Sequence, residues 1–196
     1  MSEQNQSTLQ ETEAKRSVFK MDFSLQSICI LGMLVAAEIV LERLLAFNAL
    51  TIKINLAFIP VALAGYFFGP IGGAICYGLG DIVGTLVFPT AGGGYNPLFT
   101  LTVVLVGFLY GFILNRPLKW YNIYLAAFLS RTVGTLGLNT LWIYLLYIKG
   151  KKGYFAFFVT RVPEAIIMFA AECLILVPLF LGGNAWLKHL KKSLGK

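Results

Sequence analysis

The chain holds a single histidine, His189, and it lies in a basic stretch near the end of the sequence. The apolar part therefore has no imidazole for metal ligation or general base work. Cysteine is nearly as scarce. Cys29, Cys76 and Cys173 all sit inside apolar runs, with neither disulfide-framework nor metal-ligand spacing. We read them as small buried hydrophobes and expect no metal and no cofactor. Charge is also short, at 13% of residues where a soluble domain carries about a quarter. Phosphate-loop chemistry is missing too. Gly150-Lys-Lys-Gly153 lacks the upstream glycine and trailing Ser/Thr, and Gly92-Gly-Gly94 has no lysine after it. These absences leave no ATPase motif and no His-based catalytic site to assign, so an enzyme is not expected.

What the sequence has is apolar length. Of 196 residues, 58% are hydrophobic, and the mean hydropathy is +0.76. This composition belongs in lipid, and at about 20 residues per span the length allows six helices. We expect an all-α integral membrane protein, six transmembrane helices in one compact bundle over residues 23–182. A polar N-terminal tail (1–22) and a basic C-terminal tail (183–196) flank it. The predicted spans are 23–46, 54–68, 70–88, 98–114, 121–148 and 159–181. Gly69-Pro70 is read as a tight turn between the second and third, and 89–97, punctuated by Gly and Pro, as an ordered loop. The run ahead of the first span shows no cleavage pattern, so that span is expected to be retained.

The net charge is +7 and the pI about 9.4. In lipid this is first a topology signal, and no nucleic-acid partner is expected. Six spans put both termini on one side, with Lys15, Arg16, Lys20, Arg116, Lys119, Lys188, Lys191, Lys192 and Lys196. The positive-inside rule makes that side cytoplasmic and the location the plasma membrane. The other face carries Lys53, Lys149, Lys151, Lys152 and Arg161, with Arg43 near the end of span one, in loops without acidic residues. Two readings stand: cations meeting headgroups, or an electropositive mouth for an anionic solute. The second is preferred.

Ionisable groups within spans cost about 2.5–3.5 kcal/mol each on insertion scales, so each needs a partner or a function. They are Glu38, Glu42, Asp81, Arg131, Glu164 and Glu172. Asp81 and Arg131 both lie about 15–17 Å from the cytoplasmic side at 1.5 Å per residue, which suits a buried ion pair or a shared polar cavity. Arg131, Thr135, Asn139 and Trp142 follow at spacings of four, four and three, a polar stripe on one helix face. A pocket wall and a hydrogen-bonded helix seam both suit such a stripe. Arg161 and Glu164 lie one turn apart at the outer end of span six, with Pro163 expected in its first turn. Gly32 and Ala36 make a small-xxx-small pair on span one, a candidate contact face for another membrane protein.

Several segments, in order, resemble the folate family of energy-coupling-factor substrate-binding subunits. They are Phe67-Phe-Gly-Pro-Ile-Gly-Gly-Ala74, Gly80-Asp-Ile-Val-Gly84, Asn96-Pro-Leu-Phe-Thr-Leu101, Gly107-Phe-Leu-Tyr-Gly111, Leu138-Asn-Thr-Leu-Trp142 and Arg161-Val-Pro-Glu164. The match covers roughly residues 25–180. It implies a six-helix subunit that takes vitamin from outside through the loops after spans one, three and five. It also implies partners: a membrane scaffold subunit and two ATPase subunits. Gly32-Met-Leu-Val-Ala36 stands where the family commonly has Ala-xxx-Ala against the scaffold. The expected substrate-binding residues are Asp81, Asn96, Phe99, Arg131, Asn139, Trp142, Arg161 and Glu164, with depth and the stripe pointing to Asp81, Arg131 and Asn139 and its place at the outer end of span six to Arg161; on the resemblance the expected ligand is folate. Its carboxylates suit cations, its flat pterin suits an aromatic slot, and its amino-pyrimidine edge suits a carboxylate such as Asp81 or Glu164. The alternatives are another anionic vitamin such as pantothenate, or a non-transport membrane scaffold.

Overall fold

The computed structural model describes residues 24–45, 47–49, 52–88, 95–115, 119–148 and 153–193. Most of the N-terminal tail and of the 89–97 loop, together with Lys149, Lys151 and Lys152 of the expected mouth, lies outside these residues.

Helix α1 runs Leu25–Leu44. Ser24 caps it, its hydroxyl accepting from the Ser27 N–H at 3.2 Å, which satisfies one of the orphan donors of the first turn. An antiparallel hairpin follows, β1 (Phe47–Ala49) and β2 (Ile52–Ile54), with Phe47 opposite Ile54. The sequence reading had no strands here, because two three-residue strands are too short to show a period-two pattern.

The long helical stretch Phe58–Val87 is broken at Gly69, with φ 72° and ψ −163°. That backbone conformation is open to glycine and costly for other residues. The arms, α2 (58–68) and α3 (70–87), fold back on each other. A Cβ on Gly73 would lie 3.3 Å from the Gly65 Cα, whereas eight residues along an unbroken helix would separate them by about 12 Å. The expected Gly69-Pro70 turn is therefore present, with Pro70 at the first position of α3, where its missing N–H costs nothing.

Helix α4 spans Pro97–Leu114, capped by Asn96, whose side chain accepts from the Leu98 N–H at 3.1 Å. Helix α5 (120–148) is continuous, but its hydrogen bonding widens to i→i+5 over Ser130–Asn139 and again over Tyr144–Ile148. Helix α6 covers Tyr154–Gly182. It starts five residues before the expected Val159, because the run Tyr154-Phe-Ala-Phe-Phe158 extends the helix. Pro163 consequently lies inside α6 and not in its first turn.

Among the described residues, four continuous helices are long and apolar enough to cross a membrane. The break at Gly69 divides one of them, and α5 completes a bundle of six. Its centre is α2, α3 and α4, with Phe58, Val61, Phe68, Cys76, Tyr110 and Leu114 buried. Helix α1 is peripheral: Leu25, Cys29, Gly32, Ala36 and Val40 form an exposed stripe.

The C-terminal segment is more than a tail. Helix α7 (Asn184–Ser193) packs Leu187 into the core. Lys191 Nζ donates to the Tyr66 carbonyl at 3.0 Å and to Asn115 Oδ1 at 2.8 Å, and sits 4.6 Å from the Tyr66 ring centroid. The Tyr66 carbonyl needs this donor because the residue four positions on is Pro70, which has no N–H. Lys191 thereby ties α7 to the turn end of the bundle.

Candidate functional site

At the opposite end from α7, a cavity of about 530 Å³ opens between the helices. That size falls in the range of about 300–1,000 Å³ typical of small-molecule sites. Its walls come from all six helices.

On the α1–α3 wall, Arg43 and Asp81 form an ion pair. Arg43 Nη2 stands 3.4 Å from Asp81 Oδ1 and donates to Thr85 Oγ1 at 2.7 Å. The other Asp81 oxygen accepts from Thr100 Oγ1 at 2.7 Å. Glu42 lines the same wall. Close packing here depends on small residues: a Cβ on Gly84 would meet Arg43 Nε at 3.0 Å.

On the α5–α6 wall, Arg131 Nη2 pairs with Glu172 Oε1, and Arg131 Nη1 stands 3.4 Å from Thr135 Oγ1. Glu172 is fully buried, and its second oxygen lies 3.4 Å from Ser130 Oγ, which in turn lies 3.0 Å from the Tyr110 hydroxyl. A network from α4 through α5 to α6 thus fixes the guanidinium. Its Nε is buried and has no hydrogen-bond partner among the described residues. An unsatisfied charged donor within a membrane protein is expensive, by about 1–3 kcal/mol or more. A ligand acceptor would relieve that cost.

Of the two readings of Asp81 and Arg131, the mutual ion pair does not form, and both side chains line the cavity. Arg131 takes Glu172 and Asp81 takes Arg43. Equal depth puts two residues in one plane of the bundle, but helix rotation and neighbour identity decide which charges meet. The stripe on α5 is also corrected. Arg131, Thr135, Asn139, Ile143 and Tyr147 line the cavity at a strict spacing of four. The widened i→i+5 segments put more than 3.6 residues into each turn, so a four-residue step keeps one face. Trp142 falls off that face and instead donates from Nε1 to Thr102 Oγ1 at 3.2 Å, fastening α5 to α4.

Asn96 and Phe99 at the start of α4 line the mouth, with Tyr95 and Phe58 beside them. Glu164 lines it from α6, holding Arg161 Nη1 at 2.7 Å, so Arg161 lies behind the carboxylate and not on the wall. Of the eight expected residues, six line the cavity, while Trp142 and Arg161 support it from behind. Sequence reasoning missed Arg43, Glu172, Ser130 and Tyr110 as parts of one arrangement. Glu172 was visible as a charge within a span, and Arg43 as a charge at a span end. The hydroxyls of Ser130 and Tyr110 gave no signal, being ordinary in membrane helices. No cluster among the described residues has the composition of a metal site.

Comparison with known proteins adds to this geometry. Residues 26–180 match the family model described as ECF transporter, substrate-specific component. The chain is 32% identical over 147 residues to the folate transporter FolT of Clostridium novyi (strain NT), covering 74% of this chain and 83% of that protein. It also resembles a solved crystal structure of FolT bound with folic acid, with a TM-score of 0.70 and 33% identity, over 79% of this chain and 91% of that one.

Proposed function

The chain belongs to the substrate-specific components of ECF transporters, and from that premise we propose that it captures folate in the cavity at the end opposite α7. Family membership sets aside the non-transport scaffold alternative. The observation that carries folate is the likeness, at 33% identity, to a FolT structure bound with folic acid. The cavity supports it chemically: Tyr95, Phe99 and Phe58 suit a flat heterocycle, and the Arg131 guanidinium has a donor to spare. Asp81, Asn96, Asn139 and Glu164 supply acceptors and donors for its ring edge, and Arg161 steadies Glu164. Purified subunit titrated with folic acid should show saturable binding that pantothenate does not compete. Displacement by pantothenate, with no response to folic acid, would replace the substrate.

In this reading the subunit has no ATPase activity of its own and delivers its ligand to a scaffold subunit driven by two ATPase subunits. It sits in the plasma membrane with the cavity outside and both termini, including the 1–22 and 183–196 segments, in the cytoplasm. The exposed α1 stripe is the scaffold face. A Cβ on Gly32 meets nothing within 4 Å, so the position is open in the isolated subunit. Gly32→Leu and Ala36→Leu are therefore expected to abolish uptake by the assembled transporter while leaving folic acid binding by the isolated subunit unchanged. Lost binding in a folded variant would remove this face from the partner interface.

A further inference from the structure

Every acidic side chain among the described residues belongs to the cavity half of the molecule. Glu42, Asp81 and Glu164 line the cavity, Glu172 holds Arg131 on its wall, and Glu38 stands one turn from Glu42. Residues 82–163 and 173–196 contain no Asp or Glu at all. The end that carries α7 therefore has, among the described residues, charge of one sign only. Lys119 stands there at the start of α5, with Lys188, Lys191 and Lys192 on α7.

The lysines of α7 do not share one role. At 100° per residue, Leu187, Leu190 and Lys191 face the bundle, while Lys188, His189 and Lys192 fall on the outer face. Lys191 is occupied by the Tyr66 carbonyl and Asn115. Lys188 and Lys192 are exposed, with no ion-pair or hydrogen-bond partner among the described residues. Like charges one turn apart repel on a helix, and a bound anion relieves the repulsion. An amphipathic helix usually attaches to a membrane by its apolar face. Here the bundle already covers that face, with Leu187 buried and Leu190 packed against the core, so the charged face is what remains. The Lys191 contacts also fix its level. Asn115 ends α4 and Tyr66 lies in the last turn of α2, so α7 is held at the membrane surface and does not project into water. Exposed aromatics mark the same level, where Trp and Tyr concentrate at headgroups. Trp186 is 65% exposed and Trp120 63%, the latter edge-on to Tyr121 and Tyr124 at 6.1 and 6.0 Å between centroids. Lys119 Nζ stands 5.6 Å from the Tyr121 ring centroid. Four residues after Asn115, its Cα lies within about 14 Å of that residue's.

We propose that the outer face of α7 binds the headgroups of anionic phospholipids through Lys188 and Lys192, with Lys119 adding to the field. Headgroup phosphates are concentrated at this level, and lysine meets phosphate as a compact point charge. A headgroup with net negative charge, such as phosphatidylglycerol, gains from this patch, whereas zwitterionic phosphatidylcholine brings its own cation. No acidic side chain among the described residues of this end competes for the lysines. Lipid held on the outer face is linked through Lys191 on the inner one to the ends of α2 and α4, so it stabilises the turn end of the bundle. The inference does not depend on which vitamin fills the cavity.

The test titrates the full-length subunit in detergent with phosphatidylglycerol or phosphatidylcholine and counts bound lipid by native mass spectrometry. Wild type should prefer phosphatidylglycerol. The double variant Lys188→Gln with Lys192→Gln should lose up to about 25-fold of that preference, about fivefold for each lysine near an anionic surface. Arginine at both positions keeps the charge and should keep the preference. Melts give a second reading. Phosphatidylglycerol should raise the melting temperature of wild type and of the arginine variant but not of the glutamine variant, and about 1 M salt should remove the effect. Inorganic phosphate at the same concentration should not stabilise. Equal stabilisation by it would mean a plain anion site and overturn the lipid assignment. An undiminished preference in the glutamine variant would also overturn the proposal. Equal affinities for both lipids, with uptake by the assembled transporter lost in the glutamine variant, would assign the lysines to an acidic surface of a partner subunit instead. Both lysines are exposed and glutamine is a good helix former, so the double variant should fold. Should it not, the single variants serve, each with the fivefold loss.

Discussion

Arg131→Ala is expected to remove folic acid binding and to lower stability together, the first by about 2–5 kcal/mol and the second by about 3–5 kcal/mol. The stability loss arises from Glu172, which is fully buried and would be left as an unpaired charge beside Ser130. The binding loss arises from the guanidinium itself, whose Nε holds no partner among the described residues. The two effects separate in the double variant Arg131→Met with Glu172→Gln. Removing both charges should recover most of the thermal stability, because a buried ion pair replaced as a unit costs little. It should recover none of the binding. Melts and folic acid titrations on the single and double variants provide the check, and full recovery of affinity in the double variant would take Arg131 out of the ligand site.

Gly111→Ala should cost about 3 kcal/mol or more, at the upper end of what overpacking produces. The added Cβ would stand 2.3 Å from the Gly69 carbonyl oxygen and 2.5 Å from the Pro70 Cα, both backbone atoms of the α2–α3 turn. A side chain could rotate away from it, whereas this turn is pinned by neighbours on both sides. Gly65 faces Gly111 from α2, and Gly73 faces Gly107 in the same way, so α4 meets the hairpin backbone to backbone. Gly182→Ala is the control. Its Cβ meets nothing within 4 Å, and an alanine in α6 gains about 0.8–1 kcal/mol of helix propensity in a solvated reference. A neutral Gly111→Ala melt would mean that α4 is free to move away from the turn.

The spans were readable because a membrane helix states itself locally. An apolar run of sufficient length has one low-energy fate in lipid, and Gly69-Pro70 ends one helix and begins another through its own backbone chemistry. Arg131 was readable as a residue in need of a partner for the same reason, since a charge within a span needs one whatever the fold. Which partner it takes was not readable. Asp81 and Glu172 are equivalent candidates by residue type, and choosing between them requires the rotation of α3 and α6 about their axes. The cavity face of α5 depended on a widening of its hydrogen bonding that no single residue in Ser130–Asn139 announces, and this is what moved Trp142 to a fastening role. The docking of α7 through Lys191 joins residues 125 positions apart, a distance at which sequence pattern carries no information. The sequence by itself thus determined the number of spanning helices, the Gly69-Pro70 turn and the presence of buried charge, because each follows from interactions within a few residues. The tertiary structure alone decided which charges pair and which face of α5 meets the cavity, because those depend on packing between helices.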